Sequence, residues 1–168
     1  MRYIEISDCT MFVFDFIHAF LSENEPAPSY NSEQDGLNEL DKVLKLVKDD
    51  RYYPNAFDKS AYLICSIAGS QYFSNGNKRL AIAVLMYFLI RNSVQIKSFT
   101  NEECERIIGS KFPDFPWESN DQIPGAHALL LYNLAIVIGF RDVWGTNDFS
   151  ILKEKVSSIF FDIYKFEE

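Results

Sequence analysis

The sequence predicts an all-α domain, a helical bundle packed around one central buried helix. Three observations carry this. Apolar residues recur at three- and four-residue spacing along most of the chain. Residues 80–90 form an uninterrupted run of eleven apolar side chains. Strand-like signals are scarce, with residues 3–6 and 29–30 as the short candidates.

Phe12, Phe16 and Phe20 fall at i, i+4 and i+8, one face of a first helix, and Thr10 stands where its cap would be. Residues 23–36 hold Pro26, Pro28, several Ser and Asn, and Gly36, and read as a loop. Leu37, Leu40, Leu44 and Val47 make a second helical stripe, and Phe57, Ala61, Ile64 and Ala68 a third. Residues 80–90 are apolar on every side, which predicts a fully buried helix at the centre. A short helix over 102–108 follows. Residues 111–125, with Pro113, Pro116, Pro124 and Gly125, form a second loop. Residues 126–140 are another apolar helix, and Phe149, Leu152, Val156, Ile159, Phe160 and Ile163 stripe the last one. Six or seven helices in a single domain spanning residues 1–168 are expected.

Composition narrows the function. Hydrophobic residues make up 48 % of the chain, enough for a sizeable core and against disorder. The formal charge of −8 repels a phosphate backbone and disfavours nucleic-acid binding, although a local basic spot remains able to hold a phosphate group. The longest apolar run is too short to span a bilayer, which takes about 20 residues, so no membrane role is expected. Acids appear early, at Glu5 and Asp8, unlike a signal peptide. Cys9, Cys65 and Cys104 form no CxxC pair, so neither a zinc site nor a disulfide framework is expected, and the natural compartment is the reducing cytoplasm.

The informative stretch is Gln71-Tyr72-Phe73-Ser74-Asn75-Gly76-Asn77-Lys78-Arg79, a small-residue loop feeding the central helix. A helix N-terminus presents free N–H groups and partial positive charge. Gly76 lets a ligand approach the backbone closely, and Lys78 and Arg79 add two cations. Such a loop binds a phosphate well, and it serves equally as an ordinary turn and helix cap.

Residues 73–79 resemble the core of the Fic/Doc signature, a His two residues before a Phe, then a small loop and Asn-Lys-Arg or Asn-Gly-Arg. The Asn-Lys-Arg form is similar to the death-on-curing (Doc) branch. Tyr53-Pro54 with Phe57, Asp35-Gly36-Leu37 and Ile17-His18 resemble upstream elements, so the likeness covers residues 12–94. The resemblance implies an all-α Fic/Doc-like bundle with a small β-hairpin flap near residues 25–36. It implies a toxin-type transferase moving AMP or a phosphoryl group from ATP or another nucleotide, with Mg²⁺, to a protein hydroxyl. It also implies a protein target and control by an antitoxin-like partner. By position, Phe73 anchors the loop, and Ser74, Asn75, Gly76, Asn77, Lys78 and Arg79 hold the nucleotide phosphates.

Two positions depart from the family. Gln71 stands in place of the catalytic His, and Asn75 in place of the acid that helps hold Mg²⁺. An amide has no useful basicity and only orients a hydroxyl. Losing a general base costs about 10²–10⁴-fold in rate. Ile82 stands where many Fic members carry a second Arg, as in Doc, and no Ser/Thr-x-x-x-Glu-Gly/Asn inhibitory motif is present. His18, His127 and Asp58 are the remaining acid–base candidates, each equally read as a surface, capping or solvated group. Residues 112–117, with Pro113, Phe115 and Trp117, read as a loop packed on the bundle, with a partner-binding surface as the alternative. Two readings result: a degenerate Doc-like nucleotide-binding domain with altered transferase activity, and an inactive Fic-fold module that binds a protein.

Overall fold

The computed structural model describes residues 1–144 and 146–166. It is all-α, with 62 % helix and one two-stranded sheet. The chain opens with α1 (Ile6–Asp8), a π-turn (Cys9–Val13) and α2 (Phe14–Phe20), which run on without a break. A 3₁₀ turn (Tyr30–Ser32) leads into α3 (Gln34–Leu46). Then come α4 (Ala56–Ala68), α5 (Asn77–Arg91), β1 (Gln95–Ile96), α6 (Asn101–Lys111), α7 (Ala126–Gly139), α8 (Arg141–Trp144), α9 (Phe149–Ile163) and β2 (Tyr164–Lys165).

The caps are local chemistry. Asn55 accepts from the Asp58 N–H at 2.9 Å and starts α4. Thr100 and Glu103 form a reciprocal capping box at α6, and Asp148 caps α9 on the Ile151 N–H at 3.1 Å. Helix α5 starts differently. Its cap residue is Gly76, at φ +73°, which brings no side chain to the first turn.

Helix α5 is central, in contact with α2, α4 and α7, while α4 is sandwiched between α5 and α9. Leu80, Ala81, Val84, Leu85 and Phe88 are fully buried on it. Each large side chain so buried contributes about 1.5–3 kcal/mol. The expected full burial of residues 80–90 holds only in part: Ile82, Met86 and Tyr87 are half-buried and Ile90 is 69 % exposed. Uniform apolarity leaves the outward face unmarked. The stripes on α3, α4 and α9 do face the core, although Leu37 and Phe57 are only partly buried and Phe149 lies outside it.

Four expectations fail. Phe12, Phe16 and Phe20 share a face, but it is the outer one; Cys9, Val13, Phe14 and Ile17 are buried instead. Thr10 is no cap, because the helix has already begun at Ile6 and its hydroxyl donates to the Ser7 carbonyl. Residues 3–6 and 29–30 form no strand, and residues 25–36 form no hairpin; that segment makes the 3₁₀ turn and enters α3 at Gln34, which also shortens the first loop. The pairing lies elsewhere, with Gln95 opposite Lys165 and Ile96 opposite Tyr164, antiparallel. No helix among the described residues is long and apolar enough to cross a membrane.

Candidate functional site

The loop between α4 and α5 is held from within. Phe73 is buried against Tyr30 and Phe14, with ring centroids 5.0 and 6.1 Å away. Asn77, the first residue of α5, reaches back over the loop. Its amide donates to the Phe73 carbonyl at 2.8 Å, and its Oδ1 accepts from the Phe73 N–H at 3.1 Å. Asn77 therefore closes the turn on both backbone groups of Phe73. Tyr30 donates its hydroxyl to the Gly76 carbonyl at 3.1 Å, and burial pushes that phenol up to about 12, so it stays a donor. A Cβ on Gly76 would meet the Tyr30 hydroxyl at 2.4 Å.

Beside this loop lies a cavity of about 320 Å³, lined by loop residues including Gln71, Ser74 and Gly76, by Lys78 and Arg79, by Glu25, and by Tyr132 and Ile136 of α7. The sequence-predicted residues thus converge, but they divide into engaged and available groups. Ser74 is engaged: its N–H and hydroxyl both donate to the Glu33 carboxylate, at 2.8 and 2.5 Å. Asn75 is engaged as well, accepting from the Gly76 N–H at 2.6 Å and donating to the Pro26 carbonyl at 3.3 Å.

Arg79 departs from the expected role. Its guanidinium donates to the carbonyls of Leu21, Glu25 and Pro26, and approaches the Glu25 carboxylate at 3.9 Å. Five fixed donors suit this work. Arg79 is a clamp on the 21–26 segment more than a free phosphate ligand. Lys78 is different. Its Nζ lies 4.8 Å from the centroid of the Phe140 ring and makes no hydrogen bond or ion pair with another described residue. Gly139 gives its stem room, since a Cβ there would meet Lys78 Cε at 2.4 Å. Lys78 and the uncapped first turn of α5 are the cavity's available anion-binding groups.

Gln71 is exposed at the cavity and, like Lys78, makes no hydrogen bond with another described residue. The other acid–base candidates do not line the cavity. His18 packs its ring against Tyr30, 6.0 Å between centroids. His127 bonds through Nε2 to the Tyr164 hydroxyl at 2.7 Å, and burial pulls it down to about 4. Asp58 sits near the start of α4, whose other end feeds the loop, and bonds Asn55 and Ser157. Burial pushes the thiols of Cys9 and Cys104 up, to about 12 and about 11, and Cys65 higher still, so none is a ready nucleophile.

Sequence reasoning missed Glu25, Glu33 and Tyr132. Glu25 is the only carboxylate among the described residues that lines the cavity, and Glu33 occupies the Ser74 donors. Both come from the breaker-rich segment, Glu33 41 residues from Ser74 and Glu25 54 from Arg79, and no local pattern flags them. The donor set does not fit a Mg²⁺ held by protein alone. That ion takes about six oxygens in near-octahedral array, and here Glu25 is drawn toward Arg79 while the Asn75 oxygen is already bonded. The expected 112–117 loop is packed on the bundle: Phe112 is buried, Phe115 lies edge-on to Trp144, and buried Asn133 pins the Glu118 backbone through both its N–H and carbonyl. No protein-family model, curated protein or solved structure matches the chain.

Proposed function

We propose that this chain is a degenerate Doc-like Fic domain that binds a nucleotide or other phosphate ligand at the start of α5 and has lost ordinary transfer chemistry. The observation that carries the reading is Lys78. An amine with no carboxylate partner among the described residues lines a cavity together with an uncapped helix start. The motif resemblance over residues 73–79 supports the same ligand class. A cavity of about 320 Å³ suits a phosphate chain with its first sugar better than a fully enclosed nucleotide.

The loss of transfer rests on what surrounds the motif. Gln71 accepts no proton near neutral pH, no histidine lines the cavity, and Arg79 is spent on backbone carbonyls. Phosphoryl and nucleotidyl transfer depend on positioning and charge stabilisation, and only Lys78 and the helix start supply that here. A cytoplasmic setting agrees with three unpaired cysteines. The family relation suggests a protein target or antitoxin-like partner.

Calorimetric titration with ATP, ADP and inorganic phosphate, with and without Mg²⁺, tests the reading. Binding of ATP is expected, weakened about tenfold or more in Lys78→Ala, the size of one lost charge-assisted contact. Parallel assays with ATP labelled on the α- or γ-phosphate should leave host proteins unlabelled. Unchanged binding in Lys78→Ala removes the site; a labelled protein band that Lys78→Ala abolishes restores the transferase.

A further inference from the structure

The face that the sequence marks most plainly is the one the fold leaves uncovered. Phe12, Phe16 and Phe20 are 54, 48 and 72 % exposed, and Met11 beside them is 62 % exposed. The Phe16 and Phe20 rings lie 5.2 Å apart, one above the other along the helix. Together the three rings leave about 300–400 Å² of aromatic surface in water, the size at which a patch on a monomer signals an interaction site.

The sequence that carries the stripe is one-sided in charge. Residues 3–41 contain nine Asp or Glu and no Lys or Arg, so residues 1–41 carry the whole formal charge of −8 and the rest is balanced. Several of these acids are neutralised in place: Asp8 pairs with Arg91 at 2.9 Å and Glu5 with Lys48 at 2.5 Å. Asp15 and Glu23 are not. Both are exposed, Asp15 next to Phe16 in the chain and Glu23 three residues past Phe20, and neither makes an ion pair with a described residue.

We infer that this face docks a basic amphipathic helix of a partner protein. An i, i+4, i+8 row is a ridge, and its geometric complement is the groove between side-chain rows of another helix. The row spans about 12 Å, two turns, which matches helix docking through residues three and four apart. Charge decides among occupants. A second copy would set like charges face to face across the stripe, within a Debye length of about 8 Å at physiological salt. An anionic membrane surface is repelled in the same way. A cationic helix gains from both the rings and the acids. The stripe supplies roughly half of the ~800 Å² that one partner of a standard interface buries, so a transient, salt-sensitive complex is expected.

The test uses the full chain and two labelled 18-residue helical peptides with the same leucine stripe, one flanked by lysines and the other by glutamates. Fluorescence anisotropy at 0.15 M salt should show the Leu/Lys peptide binding at least tenfold tighter than the Leu/Glu peptide. The Phe16→Ser/Phe20→Ser variant should lose that binding at least tenfold while its circular dichroism melt is unchanged, because both rings are exposed. Equal binding of the two peptides, or equal binding by the variant, overturns the inference. Sedimentation gives the other decisive result: a dimer that the double variant abolishes assigns the face to a second copy and overturns it too.

Discussion

The side chain that determines the loop's shape is Asn77, which holds both backbone groups of Phe73. Asn77→Ala strands those groups in a half-buried site and is expected to cost about 1–3 kcal/mol, read by urea denaturation. Gly76→Ala combines a left-handed φ with a clash on the Tyr30 hydroxyl, and a loss of about 2–3 kcal/mol is expected by the same measurement. His127 gives a pH signature. Burial keeps its folded-state value near 4, against an unperturbed value of about 6.5. Below pH 6.5 the unfolded chain takes up a proton that the folded one refuses, so stability falls as pH drops from 6.5 to 4 and the loss is complete below the folded value. His127→Gln should flatten that part of the pH–stability curve by about one proton relative to wild type. Much of the loop was legible: Phe73 as anchor, Gly76 as the open turn, Lys78 as a cation. The duties of Arg79, Ser74 and Asn75 were not, because their partners lie 41–58 residues away and no spacing rule reaches that far.

Among elements, the 21–26 segment depends on Arg79, whose donors take three of its backbone carbonyls, those of Leu21, Glu25 and Pro26. Arg79→Ala is expected to raise amide hydrogen exchange across residues 21–28 at least tenfold, with α4 and α9 unaffected. The seven helices of two turns or more fall where periodicity puts them, counting only described residues. Direction is what periodicity leaves open. The first helix has two apolar faces, Phe12–Phe16–Phe20 and Val13–Phe14–Ile17, and only packing against α5 selects the second. Two-residue strands such as β1 and β2 are too short to show alternation at all.

For the whole molecule, one core joins the motif-bearing helices to the C-terminal half through α4, which packs on both α5 and α9. Trp117 and Trp144 both lie in that C-terminal half and pack on the core, so their fluorescence reports on it alone. Coincident denaturation curves from tryptophan fluorescence and far-ultraviolet circular dichroism are expected, and separated midpoints would show two folding units. The all-α class was legible because helix periodicity is written locally; the choice of neighbours around α5 was not, since every apolar face looks alike in sequence. A last feature concerns the far end of α5. There Asn92 bonds both the N–H and the carbonyl of Arg2, and three residues on β1 pairs with β2. Residues 2 and 165 are thus both moored at this end of α5, within about 20 Å of each other, while the cavity sits one helix length, about 22 Å, away. A linker of about six residues joining residue 2 to residue 165, with a new opening cut in residues 119–124, should yield a circular permutant that still folds around the same loop.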